Sequence, residues 1–400
     1  MTWAVRSLAE VADFELGKML DQVKNKGEPR PYLANVNVRW GEFDLAELRE
    51  MRFEAHELER FSVRHGDIVM CEGGEPGRCA RWTIPLEGVM FQKALHRIRP
   101  RVGLDSTFLY YEFLCIGRTG GFDPYFTGAT IKHLPREQLA KVQIRVPELR
   151  VQHAIAAVLE PYDDLIAVNQ RRIALLEDAA RRLYREWFVY LRFPGHEVKR
   201  MTDGLPQGWH RENLFDVCEV TYGFPFKSEL FNADGAGLPA IRIRDVPSVQ
   251  VSTYTTEEVH GDYEVVRGDL LVGMDGIFHM NHWAGPKGLL VQRVCRVRPR
   301  SELLRAYVGL ALNGPIKELE RSIQGATVAH LGAKHLKQIE LFVPAGVDAE
   351  LGTLNDLLWQ VVCLREQIEQ LTRARNLLLP KLMSGKLGVS SIRLPEEATA

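Results

Sequence analysis

The sequence predicts an α+β protein: two similar α/β domains separated by two long antiparallel spacer helices that form a coiled coil, with a pseudo-two-fold internal repeat. Three observations predict it. The chain is written twice, each copy opens with short β-branched runs and Gly-rich turns, and each copy closes with a long helical seam.

The repeat is read from an ordered series of matches. Trp3-Ala-Val-Arg-Ser-Leu8-Ala-Glu-Val11 lines up with Trp209-His-Arg-Glu-Asn-Leu214-Phe-Asp-Val217. Gly66-Asp67-Ile68-Val69 matches Gly268-Asp269-Leu270-Leu271, and Arg97-Ile-Arg-Pro-Arg101 matches Arg296-Val-Arg-Pro-Arg300. Gly128-Ala-Thr130 with His133-Leu134 matches Gly325-Ala-Thr327 with His330-Leu331. The spacing between partners shrinks along the chain, as loop insertions in one copy would produce. Single matches are weak, but their common order is a strong repeat signal.

Within each copy, Asp67-Ile-Val-Met70, Val142-Gln-Ile-Arg-Val146, Asp269-Leu-Leu-Val272 and Ile339-Glu-Leu-Phe-Val343 read as strands. Val146-Pro147 and Val343-Pro344 close the strand-rich regions. A helix follows each. Ile155, Leu159, Tyr162, Ile166, Asn169, Ile173, Leu176, Ala180, Leu183 and Trp187 alternate steps of four and three. So do Leu354, Leu357, Val361, Leu364, Ile368, Leu371, Arg375, Leu378 and Leu382. That alternation is the seam of a coiled coil. Two such helices in one chain would bury their stripes on each other. Phe193-Pro194-Gly195 ends the first helix, and Ser384-Gly385 ends the second. Pro161 either kinks the first helix or marks its true start. Asn169 is the polar residue at a seam position, either a register-fixing contact or a solvent-facing residue near the kink. The resulting division is 1–147 for the first domain, 148–200 for the central spacer and linker, 201–345 for the second domain, 346–390 for the C-terminal spacer and 391–400 for a tail.

Composition bounds the function. The chain has 400 residues, 46% hydrophobic and 26% charged, as in soluble globular proteins. No apolar run is long enough for a membrane span, and Met1-Thr-Trp-Ala-Val-Arg6 has no apolar signal core. The expectation is a cytoplasmic protein. Cys71, Cys79, Cys115, Cys218, Cys295 and Cys363 form no CxxC pair and read as small buried apolar residues, with no metal site. The net charge of −1 lacks the basic surplus of a free DNA-binding module.

No catalytic constellation stands out. Asp123-Pro-Tyr-Phe126 resembles the Asp-Pro-Pro-Tyr motif of adenine methyltransferases but lacks its second proline, and no Gly-rich cofactor loop precedes it. There is no GxxxxGK[ST] phosphate loop. Glu197-Val-Lys199 lies in a Pro/Gly-rich linker and reads as a solvated charge pair.

The helical stretch Asn169-Gln-Arg-Arg-Ile173-Ala-Leu-Leu-Glu-Asp-Ala-Ala-Arg-Arg-Leu-Tyr-Arg-Glu-Trp187 with Arg192-Phe-Pro-Gly-His-Glu197 resembles the central spacer of type I restriction–modification specificity subunits. Leu205-Pro-Gln-Gly-Trp209 resembles the entry to their second target-recognition domain, and Leu377-Leu-Leu-Pro-Lys-Leu-Met-Ser-Gly-Lys-Leu387 the end of their C-terminal spacer. Tyr222-Gly-Phe-Pro-Phe-Lys227 and Gly325-Ala-Thr327 are similar to loops of their recognition domains; Asp13-Phe-Glu-Leu-Gly17-Lys-Met-Leu is less so. The resemblance covers almost the whole chain. It implies a non-catalytic DNA reader: each domain reads one half of a split duplex target, and the spacers act as a ruler. The implied partners are two methyltransferase subunits and, where present, two restriction subunits. No cofactor binds this chain; S-adenosylmethionine would sit on the methyltransferase, and ATP and Mg on a restriction subunit. Helices of thirty to forty residues span roughly 45–60 Å, long enough to set two domains one duplex turn of roughly 34–36 Å apart. Two other readings remain: a stand-alone DNA-modifying enzyme, methyltransferase or nuclease, and a coiled-coil adaptor that never touches DNA.

Base readout needs Arg or Lys for guanine, Asn or Gln for adenine, and small residues that let loops enter the groove. In the first half, loops 35–40, 72–78 and 118–130 carry that chemistry, with Asn35, Arg39, Arg78, Arg118, Thr119, Thr127 and Thr130 as candidates. In the second half, loops 227–228, 242–245, 274–279 and 322–327 supply Lys227, Ser228, Arg242, Arg244, Asp275, His279, Gln324 and Thr327. Arg97, Arg99 and Arg101, like Arg296, Arg298 and Arg300, alternate along strands. They read as a phosphate-contacting stripe or as a solvated sheet face. Arg171, Arg172, Arg181, Arg182 and Arg185 crowd one spacer helix, facing DNA, acidic partner surfaces or solvent.

Overall fold

A computed structural model describes residues 3–19, 21, 25–323 and 329–389. It contains two compact units. One comprises Met1–Asp164 with Thr372–Ala400, and the other Leu165–Leu371.

In the first unit, strand Ala4–Ser7 pairs antiparallel with Gln143–Val146. A four-stranded antiparallel sheet runs in the order Ala12–Leu16, Leu95–Pro100, Ile68–Cys71, Cys79–Arg81. A three-stranded sheet, Arg49–Phe53, Glu28–Leu33, Met90–Phe91, contains one parallel pair. Helix Ser106–Arg118 is capped by Asp105, whose Oδ1 accepts from the Phe108 amide at 2.8 Å. The unit's main core gathers Ile68, Ile98, Phe108, Phe113 and Ile144, and takes in Ile155, Leu159, Leu379, Leu382 and Met383 from the two long helices.

The second unit repeats the plan. His210–Asn213 pairs antiparallel with Glu340–Val343. The four-stranded sheet runs Cys218–Tyr222, Val294–Pro299, Leu270–Gly273, Met280–His282. The second sheet is larger, with five strands, and again contains one parallel pair, Leu238–Ile241 with Gly288–Leu290. Helix Arg305–Ile323 takes the place of Ser106–Arg118.

Single backbone bonds repeat as well. The Trp82 amide donates to the Asp67 carbonyl at 2.7 Å, as Trp283 does to Asp269 at 2.8 Å. Gly17 donates to Leu95 at 3.0 Å, as Gly223 does to Val294 at 2.9 Å. A Cβ on Gly17 would fall 2.3 Å from the Gln92 carbonyl oxygen, and one on Gly223 2.0 Å from that of Val291. Both positions therefore demand glycine. The two entry loops share a frame although their sequences differ around it: Lys18 occupies the position of Phe224, each forming an isolated parallel bridge. Lys18 is buried, its Nζ held by the Arg52 carbonyl at 2.9 Å and by Glu57.

The first long helix is Leu149–Tyr184 and the second Asp348–Met383. Gln152 fixes the start of the first: it accepts from the Asp105 amide and donates to the carbonyls of Gly103 and Pro147. Pro161 lies inside the helix and does not mark its start. It is exposed, so the carbonyl left without a donor lies on an open side of the helix. The first helix ends earlier than Phe193: a π-helical turn, Arg185–Val189, follows it, with Leu191 in a left-handed conformation. The second helix ends as its sequence predicts, with Gly385 at φ 69°.

Seam residues are buried or half-buried throughout. In the second unit, Ile173, Leu176, Val361, Leu364 and Ile368 form one cluster. Asn169 is buried and its Nδ2 lies 3.4 Å from Gln367 Oε1, while Glu177 pairs with Arg365 at 2.6 Å. Rising numbers on one helix meet falling numbers on the other, so the helices are antiparallel there. Leu354 joins the second unit's core, Leu183 packs against it, and Leu357 lines a cavity with Leu176 and Val361. In the first unit Leu378 packs on the core, and Arg375 pairs with Asp163. Ile166 and Leu371 are half-buried.

Five cysteines are buried as expected; Cys363 is exposed, because it falls on the outward side of the second helix. No helix among the described residues is long and apolar enough to cross a membrane.

Candidate functional site

The loops singled out in the first domain converge at one place. Asn35 opens a 3-10 turn, and its carbonyl accepts from Arg78 Nη2 at 2.9 Å. Arg78 Nη1 reaches Glu75 at 2.7 Å, and Glu75 accepts from Trp40 Nε1 at 2.9 Å. The Trp40 ring closes on Gly117, where a Cβ would sit 2.4 Å from it. Arg118 is the last residue of its helix, and the Thr119 hydroxyl caps it by donating to the Cys115 carbonyl at 3.0 Å. Thr127 and His133 exchange two backbone bonds of 2.8 Å, and His133 is bridged to Gly73. Loops 35–41, 72–78 and 117–133 thus form one cluster. Arg78 is largely consumed in bracing it, whereas Arg39 and Thr130 are exposed.

In the second domain, Asn37 of the first is replaced by Asp245 in the same role. The Asn37 side chain accepts from the Ala34 amide at 2.9 Å, and Asp245 accepts from the Arg242 amide at 2.9 Å. Arg242 lies over the Phe231 ring, 5.5 Å from its centroid, and Arg244 donates to Thr253 Oγ1 at 2.7 Å. The Lys227 amide donates to Glu257 at 2.8 Å, and the exposed Ser228 opens a 3-10 turn. Asp275 lies between Arg293 and His330, whose Nδ1 is 2.6 Å away. Burial acts to raise its carboxyl, but hydrogen bonds from His330 and Arg293 outweigh this and hold it below the usual carboxylate range. His279 is exposed beside this loop, and the Gly276 amide donates to the Ala329 carbonyl at 3.0 Å. Gln324 and Thr327 lie outside the described residues.

The alternating arginines are engaged by neighbouring strands and turns, with Arg101 and Arg300 still exposed. Arg97 donates to the carbonyls of Arg60 and Ser62, Arg99 grips Asp67, and Arg101 grips Asp13. Arg296 is buried, donating to Glu219, Thr221 and the Glu264 carbonyl; Arg298 grips Asp269, and Arg300 donates to the carbonyls of Asp216 and Phe215. Neighbouring strands and turns supply acceptors that alternation along one strand cannot reveal. Arg293 was not legible as a site residue: the turn Val291-Gln292-Arg293-Val294 contains none of the Gly, Asn or Asp that usually signal a turn. Among the described residues, no group of three or more His, Cys, Asp or Glu gathers to hold a metal.

Residues 1–178 match the model of a family described as type I restriction modification DNA specificity domain. Over 190 residues the chain is 33% identical to the type I restriction enzyme EcoBI specificity subunit of Escherichia coli, a match spanning 46% of this chain and 40% of that relative. It is 23% identical over 320 residues to the type I restriction enzyme MjaIX specificity subunit of Methanocaldococcus jannaschii, spanning 75% of this chain and 73% of that one. The crystal structure of the S subunit of a type I restriction–modification system from M. genitalium superposes over 96% of both chains, with a TM-score of 0.60 at 15% identity. That last likeness is one of fold.

Proposed function

We propose, from the match of residues 1–178 to the type I restriction–modification DNA specificity domain and the likeness to specificity subunits, that this chain is the target-reading subunit of such a system. It reads a bipartite duplex site, one half per domain, and directs methyltransferase subunits, with restriction subunits where present, to it. The chain itself carries out no catalysis. S-adenosylmethionine sits on the methyltransferase partner, and ATP and Mg on a restriction partner. The place of action is the cytoplasm.

One observation carries this reading. A single backbone frame occurs twice, and its loop clusters bear unlike side chains: Gly73 against Asp275 and Ala94 against Arg293. Two copies of one frame with different loops suit two different half-sites, since base contacts specify while phosphate contacts only position. The net charge of −1 suits a reader whose partners help enclose the duplex.

The test is adenine methylation mapped across a host genome that carries the methyltransferase partner, with and without this chain. One split motif methylated only in its presence is the expected result. Unchanged or motif-free methylation would overturn the reading in favour of an adaptor.

A further inference from the structure

Arg293 sits at the turn between strands Gly288–Leu290 and Val294–Pro299. Its φ is 75°, a left-handed conformation that a long side chain adopts only at a cost. Such strain persists where the surroundings impose it, and it concentrates at functional sites. Here the strain coincides with a side-chain contact: Arg293 Nη1 donates to Asp275, while the Arg293 carbonyl accepts from the Met274 amide at 2.8 Å. Asp275 is in turn fixed by His330. The exposures differ sharply: the Asp275 side chain is 14% exposed, the Arg293 side chain 65%. The carboxylate is thus enclosed between His330 and Arg293, and the Arg293 guanidinium remains open to solvent.

The first domain shows what the frame alone requires. There the Glu72 amide donates to the Ala94 carbonyl at 2.9 Å, as Met274 does to Arg293, and Gly73 bridges His133 as Asp275 bridges His330. The same two positions carry Gly73 and Ala94, with no charge. A pair needed for folding recurs in both domains, as Asp67 with Arg99 and Asp269 with Arg298 do. A pair present in one domain, on the shared frame, in the loop cluster, belongs to what distinguishes the two.

Its chemistry indicates the partner atoms. Guanine offers O6 and N7 to a guanidinium fork in the major groove. A fork already held by a carboxylate loses little further freedom on binding. We propose that Arg293, positioned by Asp275, is a specificity-determining residue that reads a guanine in the half-site of the second domain. This rests on the proposed function above.

The experiment uses the full chain assembled with its methyltransferase partner, and duplexes in which each base pair of the methylated motif is changed in turn. Binding is measured at several salt concentrations. Arg293→Ala and Arg293→Lys are both expected to relax the preference at one G·C pair of one half-site by roughly 10- to 100-fold, leaving the other half-site unchanged. Asp275→Asn should relax the same position by less. Arg293→Lys keeps the charge, so weakening that spares Arg293→Lys and is uniform across sequences marks a phosphate contact and overturns the proposal. Retention of every preference by Arg293→Ala overturns it too. If the unaltered complex prefers no sequence at all, the proposed function itself falls, and this assignment with it.

Discussion

Asp67 takes both prongs of Arg99, from Nε to Oδ1 at 2.7 Å and from Nη2 to Oδ2 at 2.8 Å. Asp269 and Arg298 repeat the arrangement at 2.9 and 2.7 Å. Both carboxylates are fully buried, and each also accepts a backbone amide, from Arg64 and Val266. The pair therefore ties a turn to a strand at the same place in each domain. Removing one partner of such a pair strands the other. Asp67→Asn and Asp269→Asn should each destabilise their own domain by about 2–3 kcal/mol, below the fully buried case because the arginines are partly solvated. Urea unfolding of the two variants checks this; equal stability to the parent chain contradicts it.

The close approaches at Gly17 and Gly223 leave no room for a methyl group, because the obstruction is a backbone carbonyl that cannot swing aside. Gly223→Ala should cost about 3 kcal/mol or more, the upper end of overpacking. Gly235→Ala is the control. It meets nothing within 4 Å, and its positive φ alone should cost less. Thermal melts of both variants compare the two directly.

Acid should weaken the fold before carboxylates titrate. Burial pushes the imidazole of His282 down to about 4, and burial holds that of His96 below its ordinary value. The unfolded chain then takes up protons first, so stability is whole above the ordinary histidine value of 6.5 and falls as pH drops toward 4. The urea midpoint should fall between pH 7.5 and 5.5, and by less in His282→Gln, with His96 supplying the remainder. An identical slope in that variant would show that His282 does not contribute to the acid sensitivity.

Asn169 is a buried polar residue at a helix seam, facing Gln367. Such residues fix register at a cost in stability. Asn169→Leu should raise the unfolding free energy by about 1 kcal/mol, while cysteine pairs placed across the seam should cross-link in more than one register. A single register retained in Asn169→Leu would show that the apolar seam alone sets the alignment.

How much of this was legible follows from what each signal encodes. The repeat and the two seams were, since matched order and a four-three period survive in a linear string. The strand order was not, since sheet partners lie far apart in sequence: Ala12 faces Pro100 and Asn213 faces Glu340. Pro161 reads in the sequence as either a kink or the helix start, and the helix passes through it with the donorless carbonyl on an open side. The alternating arginines gave their spacing but not their acceptors. Among the site candidates, Asn35, Arg78 and Asp275 were visible as residue types, but Arg78 proved to brace its own loop. Arg293 was hidden in a turn without turn residues.

In the proposed role, each domain reads its own half of one split target. The most direct measurement maps adenine methylation in a host carrying the methyltransferase partner and a chain whose residues 201–345 come from a relative with a different target. One half of the methylated motif should change to the donor's while the other half stays. Loss of both halves, or a motif that does not change at all, in a chain that still folds and assembles, would contradict it.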